Sequence, residues 1–420
     1  MRIFIIALVL GVAATIALTA SAADGQPIAP YVVVLQDGTD VAAKVAEFER
    51  IHGFKADHRY TASVTGFAAR LAGRQKSAIA RDPSVASIHD DKAVRLTPSR
   101  SSRVSSLATG VKRIGGGTKG ATGVAVAVLD TGIDLTHQAF AGRLVPQADR
   151  WDFVDNDNDP SEAGVIRVDQ AFGHGTHVAG IVTMVVPDAR IMPLRVLDRD
   201  GSGELWRITA ALIWAANHGA DIANLSIGFP ENARLLHDLL DNLDPVTVPG
   251  TNFPEIGTHR LAVSVAAGNG GNTTMVFPAA EQRDGMLSVA ASTRYDELAQ
   301  FSSYDRSWVD VSAPGENIVS ALPGGRYGLW SGTSMAAPIV AGIAALIKAQ
   351  HPDAATFPTP HDLLNRIKGT SVDIRFPNVP PWGEVRLHRV DALCAVTNNL
   401  NCPIPQALTN NFGFEQFLVK

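Results

Sequence analysis

WSGTSMAAPIVAGIAALIKAQ, residues Trp330 to Gln350, is the segment from which the interpretation of this 420-residue chain starts. From Met335 onward it carries almost no charge and consists mostly of Ala, Gly, Ile, Val and Leu, which predicts a buried helix. Ser334 lies in the first turn, where a serine can cap the helix. Alternatively, it can attack a carbonyl while the first backbone N–H groups hold the negative charge that develops. Capping is the commoner role, so a nucleophile needs partners elsewhere in the chain.

Alternating strands and helices precede this segment. Val124–Leu129 is a continuous apolar run, as expected of a parallel strand that is covered on both faces. Further strands are predicted at residues 191–197, 221–227, 261–266 and 287–290, and helices are predicted to begin at His174, Glu204, Glu231 and Thr333. The pattern predicts a doubly wound, mostly parallel α/β sheet, whose active site lies beyond the carboxyl ends of the strands.

Asp130 ends the first of these strands in the sequence V-L-D-T-G-I-D, and Gly132 lets the chain turn away. D-T-G also occurs in aspartic peptidases, but those enzymes need two carboxylates that share a proton. A second D-T-G or D-S-G is absent from the sequence. We therefore expect Asp130 to orient a histidine.

F-G-H-G-T-H-V-A-G, residues 172–180, opens a helix of small residues and holds two histidines three positions apart. Zinc binding is one interpretation, but H-E-x-x-H is missing and no third ligand is apparent. His174 lies between two glycines and has the exposure that a general base needs, whereas His177 is expected to pack in the core. A neutral His174 can take the serine proton while a carboxylate fixes its tautomer.

The three residues occur in the order Asp130, His174, Ser334, which is the order of the subtilisin triad. D-T-G-I-D, H-G-T-H-V-A-G and G-T-S-M-A-A-P together resemble the subtilisin-like serine peptidases, over roughly residues 111–393. The resemblance implies an endopeptidase that hydrolyses polypeptides through an acyl-enzyme intermediate, with no cofactor required for the chemistry. The alternatives are an inactive binding protein of the same fold and an esterase.

The resemblance also implies roles for residues around the triad. Asn269, in A-A-G-N, would supply the side-chain amide of the oxyanion hole. Val276 and Phe229 would make the S1 pocket shallow, which predicts small or medium apolar P1 residues such as Ala or Leu. Four residues would pair with an extended substrate and line that pocket: Ser226, Ile227, Gly228 and Gly268.

The N-terminus has the features of a signal peptide, residues 1–22. Arg2 precedes an apolar run from Ile3 to Leu18, and an A-x-A site follows at residues 20–22. A membrane anchor is the alternative, but the A-x-A site favours cleavage. We therefore expect a secreted protein, extracellular or periplasmic, with no stable membrane anchor.

Residues 23–97 show a β-α-β-β-α-β-like order that suits a small ferredoxin-like domain. Y-V-V-V-L, G-F-A-A-R-L and D-P-S-V-A-S-I-H-D-D-K-A-V resemble the inhibitor-type propeptide found ahead of subtilisin-like peptidases. This resemblance implies a self-processing zymogen whose propeptide is its own inhibitor and chaperone. Residues 98–119 are expected to be an exposed linker that contains the processing site, followed by a peptidase domain at 120–393 and an extension at 394–420.

Charge and cysteine content limit the partners. The formal net charge of −5 leaves no basic excess that would point to nucleic acid, and a monomer is expected. Cys394 and Cys402 are the only cysteines, and in an exported protein a disulfide is the expected state.

A polar stretch at residues 155–162 is a candidate site for a structural Ca²⁺ ion. Oxygen ligands at alternate positions suit Ca²⁺, which takes about six to eight of them. A polar surface turn is the other interpretation, and both stay open. The candidate ligands are Asp155, Asp157, Asp159 and Glu162.

Overall fold

The computed structural model describes residues 27–36, 38–60, 65–96, 123–165, 168–243, 261–351, 359–379 and 383–398. The predicted signal peptide, the predicted linker at 98–119 and residues 399–420 of the predicted extension lie outside these ranges. The chain divides into two compact units. The smaller comprises residues 1–59 and 65–90, and the larger comprises residues 60–64 and 91–420.

The smaller unit is a four-stranded sheet with two helices. Its elements are β1 (Ile28–Leu35), α1 (Val41–His52), β2 (Ala56–Tyr60), β3 (Gly66–Ala72), α2 (Gly73–Ile79) and β4 (Val85–Asp90). The strand order is β2-β3-β1-β4, and β1 is antiparallel to both of its neighbours. Asp40 caps α1 by accepting a hydrogen bond from the N–H of Ala43, and Phe48 of this helix packs on Phe67 of β3. The predicted ferredoxin-like domain is confirmed.

The larger unit is built on a nine-stranded sheet in the order β16-β17-β13-β12-β11-β10-β6-β8-β7. All neighbours in this sheet are parallel except β16 and β17. The strands of this unit are β5 (Ala93–Arg95), β6 (Ala125–Asp130), β7 (Trp151–Asp152), β8 (Arg190–Arg195), β9 (Ser202–Glu204), β10 (Ile222–Leu225), β11 (Ala262–Ala266), β12 (Met286–Ser292), β13 (Val311–Pro314), β14 (Ile318–Leu322), β15 (Arg326–Trp330), β16 (Val372–Val379) and β17 (Gly383–Arg389). The predicted mostly parallel α/β sheet is confirmed.

The helices of the larger unit are α3 (His174–Val185), α4 (Leu205–Asn217), α5 (Arg234–Leu243), α6 (Thr333–Gln350), α7 (Pro360–Gly369) and α8 (Ala392–Thr397). Every residue of α6 from Thr333 to Ile347 is buried, and the helix packs on α3 and on β10 to β13. Gly342 approaches α3 so closely that an added Cβ would lie 2.7 Å from the Cβ of Val185. By length and composition α6 could cross a membrane, but most of it is buried in this unit, as expected of a core helix.

Cys394 of α8 is disulfide-bonded. The other cysteine of the sequence, Cys402, is its expected partner and lies outside the described residues. The Nε of Arg366 in α7 donates a hydrogen bond to the carbonyl of Ala395 at 2.9 Å. Cys394 is therefore in the expected oxidised state, and its helix α8 is hydrogen-bonded to α7.

Candidate active site

Asp130 is the last residue of β6 and is almost completely buried, at 1% exposure. Its Oδ1 accepts a hydrogen bond from the N–H of Thr131 at 2.8 Å. Gly132 then turns the chain with φ +98, and an added Cβ there would lie 2.8 Å from the carbonyl oxygen of Pro160. The strand end thus presents a carboxylate in a fixed position at the carboxyl edge of the sheet.

His174 is the first residue of α3, and its Nδ1 lies 2.7 Å from Oδ1 of Asp130. The two elements can meet because Gly175 has no side chain: an added Cβ would lie 2.0 Å from the carbonyl oxygen of Gly132. The Nε2 of His174 has no hydrogen-bond partner among the described residues. A carboxylate on Nδ1 favours the tautomer whose Nε2 carries a lone pair, so this nitrogen can accept a proton.

Ser334 lies in the first turn of α6, opposite the end of β10. Residues 222–225 of β10 pair in parallel register with residues 126–129 of β6, so Ser226 follows its strand at the level where Asp130 ends β6. The Ser226 hydroxyl donates to the carbonyl of Ser334 at 2.9 Å, and the Ser334 hydroxyl donates to the carbonyl of Ser226 at 3.3 Å. In the described residues no hydrogen bond joins Ser334 to His174. Catalytic hydrogen bonds are often long without substrate and tighten when it binds.

The amide of Asn269 is oriented by Thr333, the residue before the serine. Its Oδ1 accepts hydrogen bonds from the backbone N–H and from the hydroxyl of Thr333, both at 2.9 Å. Because an N–H can bond only to the oxygen of the amide, the NH₂ group must point away from Thr333. The N–H of Ser334 has no partner in the described part of the chain. The side-chain amide of Asn269 and the N–H of Ser334 thus both lie next to the start of α6.

The predicted substrate-binding residues follow the ends of two neighbouring strands, β10 and β11. Ser226 is buried, and so are Ile227 and Gly228. After β11, an added Cβ on Gly268 would lie 2.9 Å from Cγ2 of Val276, so the valine directly adjoins this glycine. Phe229 and Phe277 exchange two backbone hydrogen bonds of 2.8 Å each, which hold the two segments together.

The short strand β9 and its pairing with β5 were not predicted from the sequence. Residues 202–204, which form β9, pair antiparallel with Ala93–Arg95, which form β5. The N–H of Leu96 donates to the carbonyl of Gly201 at 2.8 Å, and Val94 is fully buried. Residues 93–95 of the chain therefore add to β9 as an antiparallel strand. The only sequence signal is the short polar run G-S-G-E, which is too brief to predict a strand.

His177 lies one turn after His174 and has a different environment. It is fully buried, its ring stacks on Trp330 with centroids 5.0 Å apart, and its Nε2 lies 3.3 Å from the carbonyl of Gly328. Burial lowers the pKa of His177 to about 3, so this imidazole stays neutral. The structure agrees with the prediction of a packed core residue.

The four carboxylates predicted as calcium ligands have separate hydrogen-bond partners in this structure, and the calcium site stays a prediction. Asp155 accepts a hydrogen bond from Arg195 at 2.6 Å, and this guanidinium also bonds to Asp152 at 2.7 Å. No group of three or more His, Cys, Asp or Glu side chains that could hold a metal ion occurs within the described ranges. The other three carboxylates each have separate partners: Asp157 accepts from the N–H of Asp159, Asp159 from the hydroxyl of Ser161, and Glu162 from Thr131 and Thr176.

The chain is similar in sequence to known serine peptidases and to a peptidase inhibitor domain. A sequence model described as the subtilase family matches residues 121–401, and one described as peptidase inhibitor I9 matches residues 30–97. A thermophilic serine proteinase from Bacillus sp. (strain AK1) is 41% identical over 56% of this chain and 54% of its own length, so the chain spans about half of that relative. Thermitase from Thermoactinomyces vulgaris is 34% identical over 59% of this chain and 84% of its own length. Subtilisin NAT from Bacillus subtilis subsp. natto is 33% identical over 69% of this chain and 72% of its own length. Among solved structures, a cold adapted subtilisin-like serine proteinase has a TM-score of 0.50 at 30% identity and covers 63% of this chain and 86% of that chain.

Proposed function

This chain belongs to the subtilase family of peptidases, and we propose that it is an exported serine endopeptidase that is made as a self-processing zymogen. The observation that carries this proposal is the 2.7 Å contact between Asp130 and Nδ1 of His174. It leaves Nε2 of His174 ready to take a proton, at the sheet edge where Ser334 lies in the first turn of α6.

In the proposed reaction Ser334 attacks the carbonyl carbon of the scissile peptide bond. His174 takes the hydroxyl proton at Nε2, and Asp130 stabilises the imidazolium that forms. The amide of Asn269 and the N–H of Ser334 donate to the oxyanion. His174 then gives its proton to the leaving amine, which leaves an acyl-enzyme. Water, activated by the same histidine, hydrolyses the ester and restores the serine.

Extended polypeptides are the proposed substrates. The pairing of β5 with β9 supports this proposal, because it is backbone pairing of an extended peptide, which does not depend on particular side chains. An ester without a peptide backbone would gain nothing from such pairing. We propose that Ser226, Ile227, Gly228 and Gly268 hold the residues next to the scissile bond in a similar way.

The zymogen proposal rests on the match of residues 30–97 to a peptidase inhibitor domain. β5 lies near the end of that match, and it occupies β9 as a substrate strand would. We propose that this segment blocks the cleft until cleavage in the linker at 98–119. The A-x-A site at residues 20–22 supports export, and we propose a monomer without a stable membrane anchor.

Labelling with a fluorophosphonate, followed by incubation with casein and with a simple ester, tests the proposed activity. A peptidase should be labelled at Ser334 and should degrade casein. Absence of labelling on the processed protein would favour an inactive binding protein. Labelling with ester hydrolysis but intact casein would favour an esterase.

Val276→Gly should widen the P1 preference of the enzyme. Removing the isopropyl group that adjoins Gly268 deepens the apolar pocket, and each added methylene is worth roughly 10- to 200-fold in kcat/KM. We therefore expect the ratio of kcat/KM for Phe over Ala at P1 to rise at least about tenfold. A library of peptides with Ala, Leu, Phe, Lys and Glu at P1 measures it.

Met275→Ala is the matched control, because Met275 is the preceding residue and is 52% exposed. It should leave the P1 profile unchanged. A wild-type enzyme that already prefers Phe strongly over Ala, or Lys over Leu, would contradict the predicted shallow apolar pocket.

A further inference from the structure

Glu162 lies at the end of the polar turn that follows β7, next to the strand end that carries Asp130. Backbone hydrogen bonds fix this position: the N–H of Ile133 donates to the carbonyl of Pro160, and the N–H of Glu162 donates to the carbonyl of Ile133, both at 3.0 Å. The side chain of Glu162 therefore lies where the loop after β6 contacts the start of α3.

The carboxylate of Glu162 accepts hydrogen bonds from both of these elements. Its Oε1 accepts from the hydroxyl of Thr131 at 2.5 Å. Its Oε2 accepts from the hydroxyl and from the backbone N–H of Thr176 at 2.6 and 3.1 Å. The N–H of Gly173 is a further donor. Thr131 directly follows Asp130, and Thr176 lies two residues after His174.

Each of the two hydroxyls also accepts a hydrogen bond from the opposite element. The hydroxyl of Thr131 accepts from the N–H of Gly175 at 3.0 Å, and that of Thr176 accepts from the N–H of Asp134 at 2.9 Å. A hydroxyl has one proton to donate, and both threonines donate theirs to Glu162. The network therefore needs an oxygen pair that only accepts, which is the ionised carboxylate.

We propose that Glu162, as a carboxylate, is a positioning residue for the Asp130–His174 pair. It holds the two peptide segments that carry the aspartate and the histidine in one relative position, and it touches neither the reacting atoms nor the substrate. The proposal rests on the proposed function of that pair. A group displaced by about 1 Å at such a site can cost roughly 10²-fold in rate, so loss of this link should affect turnover.

The electrostatic environment makes the ionisation of Glu162 depend on pH. Burial raises the pKa of Glu162 to about 7, and the negative charge of Asp130 acts in the same direction, while the hydrogen bonds from Thr131 and Thr176 oppose it. Protonation near neutral pH would replace one acceptor by a donor that faces the threonine hydroxyls. The titratable side chains on the surrounding elements are Asp130, Asp134, His137, His174 and His177.

Glu162→Gln in the full-length chain tests the proposal, because it keeps the shape and replaces one oxygen by a donor. We expect kcat to fall about 10- to 100-fold with KM changed less than about twofold. The acid limb of log kcat/KM against pH should have a steeper slope in the wild type than in the variant, which lacks the titrating carboxylate of Glu162. Thr131→Val should lower kcat similarly, whereas Thr131→Ser should restore it.

Asp169→Asn is the control, because Asp169 lies in the same connection and bonds to the N–H of Val165. It should keep the wild-type kcat and slope. A wild-type kcat in Glu162→Gln, or an unchanged slope with reduced kcat, would overturn the proposal. If Glu162→Gln does not fold, equal kcat in Thr131→Val and wild type would overturn it. A wild-type chain without peptidase activity would instead refute the proposed function.

Discussion

Ser334→Ala is expected to accumulate as an uncleaved precursor and to lose about 10⁶ in kcat, the loss found for the nucleophile of subtilisin. Without the hydroxyl, Nε2 of His174 has no proton to accept and no acyl-enzyme can form. The propeptide then stays attached, with β5 paired to β9. Expression in a host that lacks other extracellular proteases, with mass analysis of the exported chain, measures the effect.

Ser307→Ala provides the matched control, because Ser307 bonds only locally to Asp305 in an exposed loop. It should be processed at the wild-type rate. Normal processing of Ser334→Ala in the same host would contradict self-processing, and retention of casein hydrolysis would contradict the assignment of the nucleophile.

Asp130→Asn should lower kcat by about 10⁴, the loss caused by this change in a Ser-His-Asp peptidase. An amide carries no charge with which to stabilise the imidazolium. The fold should survive, because the oxygen of the amide can still accept from the N–H of Thr131 and from Nδ1 of His174, as Oδ1 does now. Burst kinetics with an activated ester would show that acylation is the slowed step.

Asp157→Asn changes the same charge in an exposed turn and should leave kcat unaltered. A loss of less than about tenfold in Asp130→Asn would mean that His174 acts without its carboxylate, since even one positioned proton-transfer group is worth about 10²-fold or more.

The sequence was sufficient to predict the sheet and the triad segments because their signals are local. Buried apolar runs such as Val124–Leu129 mark parallel strands, and His174 and Thr333 begin their helices where predicted. The same reasoning did not predict the hairpin of β14 and β15. The residues of β14 are all buried, but β15 begins with an arginine and has a glycine at its centre, which gives no clear strand pattern.

The side chains of the polar stretch at residues 155–162 bond to residues that are distant in sequence. Asp155 is neutralised by Arg195, 40 positions away, and Glu162 bonds to Thr131, 31 positions away. The sequence alone could not show that the guanidinium of Arg195 bonds to both Asp152 and Asp155. Long-range pairing of this kind is visible only in the folded chain.

The contact between Gly175 and the carbonyl of Gly132 limits how this enzyme can be altered by directed evolution. Any other residue at position 175 brings a carbon to within 2.0 Å of that oxygen. Variants at position 175 should therefore be inactive or unfolded, and they should be lost under selection for any activity. Exposed side chains such as Val165, Val168 and Met275 face no such barrier. Selection for new specificities will therefore act on exposed positions such as these, while the geometry of the base stays unchanged.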